Sequence, residues 1–189
     1  MNASAHKPFL ALMLLALAAL VFNGCSEDEE DPAGCEGPEL TPHLSPVSFG
    51  ELYPLGSNEE NTATNERVPY EWTLQLLSMC KKDVSIEKIC MVGDTEDENG
   101  NVIFSFENPP QMTATATESA TVRIRYERST PNPGDEVDDV ALIVRSNDKE
   151  HPTMVIAVCA RVVADGSEKK TVTCSEVIDS TVDPATLCP

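Results

Sequence analysis

Residues 93–101, GDTEDENGN, crowd the four carboxylates of Asp94, Glu96, Asp97 and Glu98 into five positions. Calcium takes hard oxygen ligands of this kind, and the carbonyls of a tight loop would add to them. The spacing does not follow the EF-hand, whose loop needs glycine at its sixth position, because the sixth residue counted from Asp94 is Asn99. The competing reading is a solvated β-hairpin turning on Asn99 and Gly100, a favoured two-residue pair. The hairpin is the expectation here, and the four acids are kept only as weak metal candidates. His43 and His151 stand in Pro-flanked loops, away from any HExxH or CxxC pattern, so no zinc site is assigned. Neither a G-x-S-x-G elbow nor a P-loop occurs. The expectation is therefore a non-catalytic protein without catalytic residues or cofactor.

The remaining reactive side chains are seven cysteines. Cys25 follows an unbroken apolar run, residues 9–22, which has the length of a signal-peptide core and is short for a membrane span. Small Gly24 before Cys25 resembles a bacterial lipobox, and that resemblance implies a lipidated cysteine that becomes the new N-terminus. Cleavage there removes the whole apolar run, whereas cleavage after Ala18 would leave half-greasy chain exposed. Cysteine parity agrees, since an exported chain with seven cysteines has one without a sulfur partner. Residues 1–24 are thus expected to be a lipoprotein signal peptide. Residues 25–43, acidic and rich in Pro and Gly, read as a disordered tether. Ser26 favours the outer membrane over the inner for a domain held outside the cytoplasm.

The chain carries 32 acidic against 13 basic residues, a formal charge of −19. Nucleic acid and anionic membrane surfaces need the opposite sign, so both are excluded as partners. The expected contacts are the membrane, through the N-terminal lipid alone, and an envelope or surface protein or glycan.

From residue 44 onward the pattern is one of short segments with period-two alternation, separated by turn residues. In RVPYEWTLQLLS, Val68, Tyr70, Trp72, Leu74 and Leu76 share a face. In SATVRIRYER, Val122, Ile124 and Tyr126 point inward, with Arg123, Arg125 and Arg128 assigned outward. Strands are also expected in LSPVSFGEL, with Pro46 demanding an edge, in DVSIEKICMVG and in VIFSFE. DDVALIVRSND and TMVIAVCARVV, with near-continuous apolar runs, complete the set. Seven strands in this length predict a single all-β, immunoglobulin-like β-sandwich over residues 44–164.

Phe49 and Gly50 near the start of the first strand resemble the opening landmark of ASH/Hydin-like domains, called choice-of-anchor D in bacterial surface proteins. So does the later run of Pro131, Gly134, Ala141, Leu142, Val144, Ser146 and Asp148. The resemblance implies an immunoglobulin-like binding or architectural module without a shared catalytic site. A calcium-dependent adhesin or an envelope hydrolase accessory protein is the alternative.

Cys35, Cys80, Cys90, Cys159, Cys174 and Cys188 are expected to form disulfides in an oxidising compartment, with the connectivity open. A Cys80–Cys90 bridge would need the intervening turn to fold back, and a Cys174–Cys188 bridge would close a small loop. Residues 165–189 are expected to be a Cys-containing tail with too few apolar residues to order itself.

Overall fold

The computed structural model describes residues 37–54, 67–164 and 166–189. The expected signal peptide, Cys25, most of the tether, Cys35 and the 56–66 loop lie outside them. Nine strands form in chain order: β1 (Leu40–Pro42), β2 (Val47–Leu52), β3 (Tyr70–Ser78), β4 (Val84–Gly93), β5 (Phe104–Glu107), β6 (Thr113–Ala114), β7 (Ala120–Tyr126), β8 (Asp138–Ser146) and β9 (Thr153–Val162). They make a four-stranded sheet in the order β1-β3-β7-β5 and a five-stranded sheet in the order β2-β9-β8-β4-β6. This is an immunoglobulin-like β-sandwich.

All seven expected strands are present. The count rises to nine because β1 and β6, of three and two residues, are too short to show a period. β1 also corrects the tether boundary, since Leu40, Thr41 and Pro42 pair with Ser78, Leu77 and Leu76 of β3. β2 is an edge strand, as Pro46 demanded, and runs parallel to β9.

The core follows from alternation. On β3 and β7, Leu74, Leu76, Val122, Ile124 and Tyr126 are buried between the sheets, while Glu71, Thr73 and Arg123 face water. The solvated face carries the ion pairs Arg123–Glu107 (3.3 Å) and Arg125–Glu71 (3.5 Å). Exposed pairs of this kind add little stability. Phe49 reaches from the five-stranded sheet into the core, where it meets the rings of Tyr70 (5.3 Å) and Phe104 (6.2 Å), and Phe104 meets Tyr126 at 4.7 Å. Gly50, at φ +74°, lies where the β2–β9 register shifts between Ser48 and Glu51. The Phe49–Gly50 landmark is therefore a core anchor beside a bulge.

The five-stranded sheet is buried on both faces. Val140, Leu142, Val144, Ile156, Val158 and Ala160 belong to the inter-sheet core. Their outward neighbours Ala141, Ile143 and Cys159 are also buried. What covers the outer side is the tail, which the sequence reading had left without order. It crosses the sheet as a strap. Tyr53 donates to the Ser167 carbonyl (3.2 Å), Lys170 N–H donates to Glu51, and Ser48 donates to the Val172 carbonyl (2.9 Å). Ser175 N–H donates to Asp139 (3.0 Å) on β8. A single helical turn, α1 (Pro184–Leu187), follows, capped by Asp183 accepting from Ala185 N–H at 3.0 Å. Arg145 and Lys88 then donate to the carbonyls of Cys188 and Pro189.

Two disulfides pin this strap, Cys159–Cys174 and Cys90–Cys188. The local loops weighed from sequence, Cys80–Cys90 and Cys174–Cys188, do not form. Cys90 and Cys159 face outward from mid-sheet, so only a segment lying over that face reaches them. Close packing also fixes Gly93, at φ +112°: a Cβ there would stand 2.6 Å from the Asp139 carbonyl and 2.8 Å from Val177 of the strap.

Asp148 ties the end of the β8–β9 hairpin to β1. Its carboxylate accepts from the N–H groups of Leu40 (3.0 Å), Glu150 (2.9 Å) and His151 (3.0 Å). Burial pushes this carboxyl up, but those three donors outweigh it and hold its pKa below the ordinary aspartate value. A pKa lower in the folded than in the unfolded chain contributes stability that is complete above about pH 4 and lost as pH falls through the folded value. Urea melts are expected to show stability declining below about pH 4. Asp148→Asn should cost about 2 kcal/mol at neutral pH and flatten that decline. An acid profile identical to the parent's would remove Asp148 as its source.

Candidate functional site

The four acids singled out in the sequence all lie at one end of the sandwich, along a cleft of about 550 Å³ between the 94–102 hairpin and the 133–139 loop. The hairpin forms as expected, but its turn is longer by one residue. Asp97 and Asn101 close it, Gly100 N–H donates to the Asp97 carbonyl at 2.9 Å, and Gly100 takes φ +77°. This is the three-residue loop that ends on a left-handed glycine, not a two-residue Asn99–Gly100 turn.

Asp97 organises the loop. One carboxylate oxygen accepts from the N–H groups of Asn99 (2.9 Å) and Asn101 (2.8 Å), and both oxygens lie within hydrogen-bond range of the Asn101 amide. The Asn101 side chain is the largest of several donors that hold the Asp97 pKa below the usual carboxylate range. Glu98 pairs with Arg128, while Asp94 accepts from Asp139 N–H at a long 3.4 Å.

Arg128 corrects the outward assignment made for it, because it is only 3 % exposed. Its position number has the same parity as Val122, Ile124 and Tyr126, so continuing the alternation past β7 turns it inward. There Nη1 donates to Asp138 (3.0 Å), Nε to the Thr130 carbonyl (3.1 Å) and Nη2 to Glu98. Tyr126 donates its phenol proton to the other Asp138 oxygen at 2.6 Å. Burial pushes the Asp138 carboxyl up, partly offset by the bond from Tyr126 and the charge of Arg128. Burial, followed by the Asp138 charge, raises the Tyr126 phenol far above its ordinary value, so it stays protonated.

These are the chemical properties of a brace. Asp97 is engaged by its own loop, Glu98 by a guanidinium, and a fixed positive charge borders the cleft. Of the four weak metal candidates, Asp97 and Glu98 are engaged within the protein and Asp94 accepts one long hydrogen bond. Asp138 and Tyr126, two groups with raised pKa values, are buried in the brace and bonded to each other. One further arrangement has metal-site dimensions, since Asp139, Cys159 and Cys174 present atoms within 4.8 Å of one another. Its two sulfurs are bonded to each other and offer no thiolate.

The sequence reading missed Arg128, Asp138 and the outward pair Cys90 and Cys159. The signal for Arg128 was strand parity. For the cysteines it was their place between inward residues, Ile89 and Met91 on β4, Val158 and Ala160 on β9.

No known family's sequence profile matches the chain, and no curated protein matches it. Among solved structures the chain is similar to the crystal structure of the periplasmic chaperone SfaE, at 14% identity and TM-score 0.40, covering 68% of this chain and 59% of that one. It thus spans about three-fifths of the chaperone's length. It is also similar to the ASH/PapD-like domain of human CEP192 (PapD-like domain 7), at 14% identity and TM-score 0.36, covering 68% of this chain and 87% of that one.

Proposed function

We propose that the chain is a non-catalytic, lipid-anchored protein of the bacterial cell envelope whose immunoglobulin-like sandwich serves as a binding or architectural module. The observation that carries the location is the state of the sulfur. Cys80, Cys90, Cys159, Cys174 and Cys188, every cysteine among the described residues, are disulfide-bonded. Such bonds persist in oxidising compartments outside the cytoplasm. The apolar run at residues 9–22 supports the same export.

The pairing sharpens the cysteine count. Two of the bonds join Cys90 to Cys188 and Cys159 to Cys174, so the partner of Cys80 is neither of these pairs. Cys25 and Cys35 remain. Cys35 is the partner in this reading, because residues 37–39 lie against Cys80 around a small cleft. That leaves Cys25 for lipid. The binding or architectural role rests on the landmark residues from Phe49 to Asp148, which resemble ASH/Hydin-like domains.

Non-reducing digestion and mass spectrometry are expected to yield a Cys35–Cys80 peptide, and Cys25→Ser is expected to abolish processing and membrane association. A Cys25–Cys80 peptide, or unchanged fractionation of the variant, defeats the anchor. Crosslinking in intact cells is expected to capture a second envelope component. Recovery of the protein alone at several expression levels defeats the binding role.

A further inference from the structure

Between the strap and the outer face of the five-stranded sheet runs a groove of about 480 Å³. Its floor is low because Ala141 and Ala157 stand directly opposite each other on β8 and β9, while the next pair on the same face is the larger Ile143 and Val155. Val155 and Val182, each 39 % exposed, are large apolar side chains left open at this groove. Among the described residues, the ionisable side chains lining it are Glu176 and Asp179, both exposed. Two other clefts among the described residues differ, one bordered by Arg128 and one by Arg161 and Lys170.

The groove is also preformed. Cys174 sits in its wall, bonded to Cys159, and the far end of the strap is bonded to β4 through Cys188. Asp179 accepts from Thr181 N–H (2.8 Å) and the Thr181 hydroxyl (2.7 Å), and its carbonyl accepts from Val182 N–H (2.9 Å). The Asp179 carboxylate therefore stands in place before any ligand arrives, which lowers the ordering cost of binding.

We infer that this groove binds an extended peptide segment of a partner protein, with apolar side chains alternating with Lys or Arg. The inference rests on the binding role proposed above and names the partner class. Apolar side chains fill the depression over Ala141 and Ala157, and the cationic ones meet Glu176 and Asp179. The charge of −19 on the chain adds long-range attraction for the same partner.

The test uses the full chain held on phosphatidylcholine vesicles, with protein-free vesicles as the blank. The probe is a fluorescein-labelled Lys-Val-Lys-Leu-Lys-Val-Lys peptide, read by anisotropy. Binding is expected, with affinity reduced at least about tenfold when glutamate replaces every lysine or serine every apolar residue. Ala157→Leu, which fills the depression, and Glu176→Lys are each expected to weaken binding of the parent peptide similarly, with melts confirming that both variants fold. No binding, equal binding of the serine peptide, or an unaffected Ala157→Leu variant overturns the inference. If Ala157→Leu leaves the crosslinked partner in cells unchanged, the groove is not the docking site while the module reading stands. If no partner is captured in cells, the module reading falls first.

Discussion

Replacing Cys90 and Cys188 together by serine is expected to lower the unfolding free energy by about 4 kcal/mol. The bond joins residues 98 apart, and a crosslink closing a loop near that length removes roughly 4.7 kcal/mol of unfolded-chain entropy, less whatever strain the native bond carries. The loss has a local part as well. The bond holds the end of the strap, next to the Cys188 carbonyl that Arg145 grips at 3.2 Å. With it gone, the apolar outer side of the five-stranded sheet, including the fully buried Ile143, opens to water. Binding of a hydrophobic dye should therefore appear before global unfolding. Cys159→Ser with Cys174→Ser makes the comparison, since that loop spans only 15 residues and its entropic share is about 3 kcal/mol. Urea melts of both double variants give the two losses. If the shorter loop proves the more costly, the strap stabilises through contacts near Cys174 and not through chain restriction.

Arg128→Met is expected to cost about 3 to 5 kcal/mol, the usual consequence of removing one member of a buried ion pair. Asp138 would keep the Tyr126 hydroxyl at 2.6 Å but lose the guanidinium at 3.0 Å. An uncompensated carboxylate would then sit in a site that already pushes its pKa up. Glu98 and the hairpin would lose their tether to the sandwich at the same time. Removing both partners, Arg128→Met with Asp138→Asn, should cost less than the sum of the single variants. Additivity in that cycle, or a single-variant loss below about 1 kcal/mol, would falsify the brace.

The strand-forming stretches could be read from sequence because alternation is a local property: Tyr70 to Leu76 and Val122 to Tyr126 declare their faces without knowledge of their partners. The resemblance landmarks are readable for the same reason, and the structure gives several of them architectural work. Phe49 fills the core and Asp148 binds three backbone N–H groups. They say how the sandwich is built and leave its ligand open.

What escaped the sequence was long-range. β1 and β6 exist only because β3 and β4 offer them edges. The near-continuous apolar runs of β8 and β9 have a second buried face, which belongs to a third layer supplied by the tail. That tail holds few apolar residues, and composition alone does not decide whether it packs on the sandwich. Its order comes from two sulfur bonds and from donors on β2, β4 and β8. The carboxylates at 94–98 were visible as chemistry, whereas the pairing of Glu98 with Arg128 depends on a residue 30 positions away.

The strap also sets how the molecule responds to force. A pull applied between the β1 side of the sandwich and Pro189 can draw out the chain only as far as Cys90. The residues between Cys90 and Cys188 are bypassed by their covalent link. At full extension that segment, less the 15 residues that Cys159–Cys174 bypasses, would have lengthened the molecule by about 280 Å. With the link intact, β8 and β9 remain inside a closed loop that tension applied at the last residue does not reach.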